Sequence, residues 1–425
     1  MERIAEFDFF SLTYDDDGRL RAARDLDRLL EHADAVGATD AILIAHGFRN
    51  DIQDATGIYT RFLTTLRTHL SHARLAASLS ARRFVVVGVY WPSKPFRESV
   101  GGFEGGTRGV GGDSGGGEET MRAQVLAQLE DLKKNDAGTR QRRKIDQAME
   151  LVPTLEGNRR AQDRFVKLVL SLLDEAALDP TEGLEAIRAQ RGSEVLDRIA
   201  DGQRGIGDAF GSIFGRVGQF LNLTTWYLMK NRSGVVGATG VADAVRALAA
   251  RRPSMKRHLV GHSLGGRLMA ACAKSLCAPP VVRPDSLTLL EAAFSHYGFS
   301  ADTGTGTPGF FREVVVEGVV RGPFLSTFSH EDTVVGKVYA VASRLAGDRS
   351  RAIGDAEDPF GGIGRNGSQR TSEAVTERLL TPDGTYDFAP GVLTNLDGSG
   401  GLIKDHGDVT NEAVTYAFAS AVART

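Results

Sequence analysis

Arg257-His258-Leu259-Val260-Gly261-His262-Ser263-Leu264-Gly265-Gly266 is the stretch on which the reading of this 425-residue chain turns. A short apolar run, Leu259 and Val260, leads into a serine with glycine at both second neighbours. Leu264 to Cys277 follows, Ala-rich, free of proline and apolar at helical spacing. Strand, sharp turn, Ser, helix is the context that a G-x-S-x-G nucleophile elbow requires. Such a turn holds the serine in a strained backbone conformation, and the glycines let two chain segments pass without a Cβ clash. The hydroxyl then stands at a helix N-terminus, where backbone N–H groups stabilise developing negative charge. The competing reading of Ser263 is an ordinary strand-to-helix turn.

With 50 Gly in the chain the bare pattern carries little weight, and context decides. Gly112-Asp113-Ser114-Gly115-Gly116 also matches, but ten of residues 101–117 are Gly, no strand precedes and no helix starts at the serine. Ser114 reads as part of a flexible linker.

Working outward, Asp40 to Phe48 is a continuous apolar run ending in His46-Gly47-Phe48, which reads as a central parallel strand buried on both faces. A tetrahedral oxyanion needs two convergent N–H donors, one from the residue after the nucleophile and one from an earlier loop. Leu264 is the first, and Phe48 the candidate for the second. Before that strand, residues 4–14 read as a strand closed at Asp15-Asp16-Asp17-Gly18, a turn rather than a Ca²⁺ loop, and residues 20–33 as a helix. After it, residues 55–79 read as a helix and Phe84 to Trp91 as a strand.

About 170 residues separate that strand from Ser263, far more than one crossover helix needs. The expected organisation is an N-terminal core part over 1–96, a Gly-rich linker with a mainly helical insertion, a cap or lid, over 97–225, and a C-terminal core part over 226–425. Helices are expected near 118–135, 159–178 and 182–200, the last opened by an N-cap at Asp179-Pro180-Thr181-Glu182. Residues 205–221 place Ile206, Phe210, Ile213, Phe214, Val217 and Leu221 on one face. That face reads as a lid helix packed on the core, with peripheral contact to a lipid surface as the rival reading.

Past the elbow, strands are expected at Ser286 to Phe294, at Gly322 to Ser329 and at Val392 to Leu396, helices over Phe310 to Val320, over 336–346 and at the C-terminus, with 348–390 irregular. The alternation predicts an α/β fold with a mostly parallel sheet and helices on both faces. An unactivated serine needs a base, itself oriented by a carboxylate. Of nine His only His296, His330 and His406 follow Ser263, and only His406 both follows a possible acid strand and precedes the last helix. His406 is the expected base and Asp332 the expected orienter, with Glu331 and Asp302 in reserve and an N-cap as the alternative role for Asp332.

These motifs resemble the α/β-hydrolase superfamily, in particular its bacterial lipase-like and esterase-like branches with Gly-His-Ser-Leu-Gly-Gly elbows. The resemblance covers residues 38–96 and 226–425. It implies Ser263 as nucleophile, His406 as base, Asp332 as orienter, and Phe48 and Leu264 as oxyanion donors. The expected activity is a serine hydrolase cleaving a carboxylic ester, of lipid or other acyl type, through an acyl-enzyme and without cofactor or metal. The rival activities are the same triad acting on amides, thioesters or acyl transfer, and a catalytically silent hydrolase fold kept as a binding module.

Composition bounds the partners. The 51 basic and 54 acidic residues give a net charge of −3, which offers no electrostatic footprint for nucleic acid. Cys272 and Cys277 read as small buried groups rather than a disulfide or metal pair. The N-terminus lacks a basic and apolar signal region and no run of 18 apolar residues occurs. A soluble, cytoplasmic protein is expected, with signal-independent export left open.

Overall fold

In the computed structural model the described residues are 1–94, 117–136, 139–173, 179–201, 212–336, 339, 345 and 360–425. The Gly-rich tract with Ser114 lies outside them, as does most of the helix expected over 336–346. Among the described residues nine strands form one sheet: β1 (Glu2–Ile4), β2 (Phe7–Thr13), β3 (Asp40–Ala45), β4 (Phe84–Tyr90), β5 (Lys256–His262), β6 (Ser286–Leu290), β7 (Phe324–Phe328), β8 (Val375–Arg378) and β9 (Leu393–Asp397). Their order is β1-β2-β4-β3-β5-β6-β7-β9-β8. Only β1 runs antiparallel to its neighbour β2; the other pairs are parallel. The fold is α/β.

Every residue of β3, β6 and β7 is buried, the state of parallel strands covered on both faces. On one face Ile42, Ile44, Val86, Val260, Leu290 and Leu325 pack with Tyr59, Phe62 and Leu66 of helix α2 (Ile52–Leu70) and with Val414, Phe418 and Val422 of the terminal helix Glu412–Ala423. Helix α2 begins earlier than expected because Asp51 and Asp54 form a reciprocal capping box. It stops at Leu70, and a separate turn of helix occupies Ala76–Leu79. The expected first strand is two strands, and the helix after them is α1 (Ala23–Ala35). Cys272 is buried and both cysteines are free.

The described chain divides into two compact units, Met1–Ser93 with Arg232–Val335 and Gly361–Thr425, and Lys94–Asn231 with Gly336–Phe360. The second unit is helical: Glu118–Asp136, Thr139–Leu151, Arg159–Leu170, Leu184–Arg188, Gly192–Asp201 and the long Ile213–Val236, whose residues from Arg232 on belong to the first unit. Thr139–Leu151 is helical where no helix is expected, the Arg159 helix ends at Leu170, and two short helices stand in place of the single one expected over 182–200. Phe214, Val217 and Leu221 of the apolar face are buried, whereas Ile206 and Phe210 lie outside the described residues. Asp179 does cap the following turn, accepting from Thr181 N–H, and Glu182 has a second role. It is buried and ion-paired with Lys230, whose ammonium also bonds the Tyr339 hydroxyl at 2.5 Å and lies 4.3 Å from the Trp226 ring centroid. Among the described residues no helix is long and apolar enough to cross a membrane.

Candidate active site

Strand β5 ends at His262, and Ser263 is the single residue between it and the helix Leu264–Leu276. Its backbone stands at φ 57°, ψ −123°, a conformation that costs an L-residue about 1–3 kcal/mol and persists only where the surroundings enforce it. They do so here. Ser263 N–H donates to Leu290 O at 3.0 Å across the end of β6, and Ser263 O accepts from Gly266 N–H at 2.9 Å and Ala293 N–H at 3.0 Å. The glycines are required by contact: a Cβ on Gly261 would lie 2.2 Å from Gly265 O, and one on Gly265 2.4 Å from Ala45 O.

Parallel register brings the other groups to the same rim. Gly261 is paired with Ala45, so His46-Gly47-Phe48 leaves β3 directly beside the elbow. Asp332 lies four residues past β7 and His406 nine past β9, two neighbouring strands. His406 Nε2 is 2.9 Å from Ser263 Oγ, and His406 Nδ1 is 2.8 Å from Asp332 Oδ2. A carboxylate only accepts, so Nδ1 carries the hydrogen and Nε2 is left as acceptor for the serine hydroxyl. Asp332 is fully buried, and its other oxygen accepts from Val334 N–H at 3.1 Å and Val335 N–H at 2.9 Å. The N-cap role weighed for Asp332 and the contact to His406 therefore coexist, one on each oxygen. Arg365 holds the same loop by donating to His330 O and Asp332 O.

The structure keeps the reserve residues apart from the imidazole. Glu331 accepts from Ser329 Oγ at 2.6 Å and Gly400 N–H at 3.0 Å. Asp302 is exposed and closes its own loop through Gly304 and Gly306 N–H. His330 is exposed, and His296 is buried against the Asn366 amide. Among the described residues the backbone N–H groups of Phe48 and Leu264 have no hydrogen-bond partner.

Three neighbours of this cluster were not anticipated from sequence. His262 donates from Nε2 to His406 O at 2.7 Å, and its ring lies 4.8 Å from that of His406. Burial pulls its pKa down to about 3, so it is neutral beside the His406 ring. Its place inside the elbow was the available signal. Glu291, at the end of β6, is fully buried with φ 38°; desolvation raises its pKa well above the ordinary carboxylate value, and Thr327 Oγ donates to it at 2.7 Å. Asn50, three residues past Gly47, donates from its amide to Gly47 O and Phe48 O, both at 3.1 Å.

No three acidic, His or Cys side chains among the described residues form a cluster able to hold a metal ion. What the geometry does offer is a strained, hydrogen-bonded hydroxyl, an acceptor nitrogen aimed at it, and a buried acid behind that nitrogen. Compared with known proteins, the chain matches no family model, no curated protein and no solved structure.

Proposed function

We propose that this chain is a serine hydrolase of α/β-hydrolase type that cleaves a carboxylic ester, of lipid or other acyl kind, through an acyl-enzyme. The observation that carries the reading is the unbroken chain Asp332 Oδ2, His406, Ser263 Oγ at 2.8 and 2.9 Å, ending on a serine at φ 57°. Nucleophilic catalysis requires a base in hydrogen-bond reach of the serine, and backbone strain of that kind clusters at active sites where a plain turn has no need of it.

In this reading Ser263 Oγ attacks the ester carbonyl carbon while its proton passes to His406 Nε2. The imidazolium is stabilised by Asp332, which stays ionised. The carbonyl oxygen becomes an oxyanion beside Leu264 N–H and Phe48 N–H, two donors with no partner to give up. Collapse of the adduct breaks the ester C–O bond, and the leaving alkoxide takes the proton from His406 Nε2. Water then attacks the acyl-enzyme by the same path, returning the acid and the free serine.

The test is turnover of p-nitrophenyl esters of graded acyl length, beside peptides and acyl-CoA, by the wild type, Ser263→Ala and His406→Ala. Each substitution is expected to cut kcat by roughly 10³–10⁶-fold. A Ser263→Ala protein that keeps its esterase rate removes the assignment.

A further inference from the structure

We propose that Asn50 is the positioning residue of the oxyanion hole, clamping the Gly47–Phe48 peptide so that the Phe48 N–H faces the oxygen of a tetrahedral adduct on Ser263. The inference rests on the serine-hydrolase reading and adds to it the group that aims one donor.

The C=O of Gly47 and the N–H of Phe48 belong to one planar trans peptide and point in opposite directions. Whatever fixes the carbonyl therefore fixes the N–H. Gly47 O accepts from Asn50 Nδ2 at 3.1 Å and from His46 Nδ1 at 3.0 Å. His46 has the tautomer to donate, because its Nε2 accepts from Trp91 N–H at 3.4 Å, and burial, which pulls its pKa down to about 4, keeps it neutral. The next carbonyl, Phe48 O, is held by the same Asn50 amide. With both carbonyls taken on the Asn50 side, the Phe48 N–H is turned to the other side and has no partner among the described residues. Gly47 itself lies against the nucleophile: a Cβ there would sit 2.9 Å from Ser263 Cβ.

Asn50 is in turn held. Its N–H donates to Ser93 Oγ at 3.1 Å, its O accepts from the same hydroxyl at 2.8 Å, and Arg49 N–H donates to Ser93 O at 2.9 Å. The clamp thus runs from the end of β4 through Ser93 and Asn50 to one peptide bond. A donor held this way needs no reorganisation when charge develops, which is the condition under which such donors are worth most.

The experiment uses Asn50→Asp, which keeps the shape and turns the amide donor into an acceptor facing two carbonyls. Removing one oxyanion donor costs about 10²–10³-fold in kcat, so misaiming one is expected to cost roughly 10–100-fold with KM unchanged. Affinity for phenylboronic acid, which forms a tetrahedral adduct on a nucleophilic serine, should fall by the same factor as kcat/KM, because both read the transition state. The acid limb of the pH–rate profile should stay where it is, since Asn50 does not touch His406. Ser93→Ala, which leaves the amide but frees its backbone, should lose both quantities together by a smaller factor.

A folded Asn50→Asp protein with wild-type kcat and boronate affinity overturns the proposal, as does a loss seen only in KM. Should Asn50→Asp not fold, Ser93→Ala decides, and unchanged boronate affinity there overturns it. Failure of the underlying reading looks different: wild type and Ser263→Ala would then bind the boronic acid equally.

Discussion

Replacing Ser263 by Gly and by Ala separates a strained elbow from an ordinary turn through stability alone, without any substrate. Both variants lose the hydroxyl bond to His406, worth about 1 kcal/mol, so that cost cancels in the comparison. Ala keeps a Cβ at φ 57° and with it the strain. Gly releases a strain of about 1–3 kcal/mol, while its looser unfolded chain takes back about 0.5–1 kcal/mol. The Gly variant should therefore be the more stable by about 1 kcal/mol. At an unstrained position the sign reverses and Gly is worse by about 0.5–1 kcal/mol. Urea unfolding of the two proteins, followed by far-UV circular dichroism under one set of conditions, reads the difference as a shift in midpoint at constant slope. An Ala variant as stable as the Gly variant, or more so, refutes the claim that the fold forces the serine into this conformation.

Two further outcomes concern buried charge. His46 has its pKa lowered to about 4 by burial, against 6.5 in the unfolded chain, so between those values the unfolded state holds a proton that the folded state lacks. Its contribution to stability is complete above about pH 6.5 and shrinks as pH falls, by roughly 1.4 kcal/mol per unit. His46→Gln should lose about 3 kcal/mol less than wild type between pH 7 and 4; identical slopes in urea midpoints against pH contradict the assignment. In the second unit, Lys230→Ala strands a buried Glu182 carboxylate and is expected to cost about 3–5 kcal/mol in denaturant unfolding. Lys230→Met combined with Glu182→Gln should recover most of that loss, and a double variant no better than the single one argues against the pair.

What could be read from the sequence was whatever local chemistry announces itself. Leu259-Val260 followed by a serine between second-neighbour glycines identifies a strand, a turn and a helix within ten residues, and the apolar runs of β3 and β4 need two covered faces. Chain order then left His406 as the one histidine after Ser263 that both follows a possible acid strand and precedes the last helix. What stayed hidden has a physical cause in each case. Strand β8, Val375–Arg378, is exposed at every position, so it carries no alternating pattern. Helix Thr139–Leu151 opens with charged and polar residues, and its buried positions, among them Ile145 and Ala148, make a thin apolar stripe. Glu182 looked like part of an N-terminal cap because its partner Lys230 is 48 positions away. Asn50 gave no periodic signal at all: its role arises from which side of one peptide plane it occupies, a fact that exists only once β3 and β4 are paired.

The most direct measurement is the site of covalent labelling by a fluorophosphonate on the folded protein, located by peptide mass spectrometry. The account predicts one adduct per chain, on Ser263, formed far more slowly in His406→Ala and absent from Ser114. An adduct on any other residue, or a well-folded chain that stays unlabelled, contradicts it.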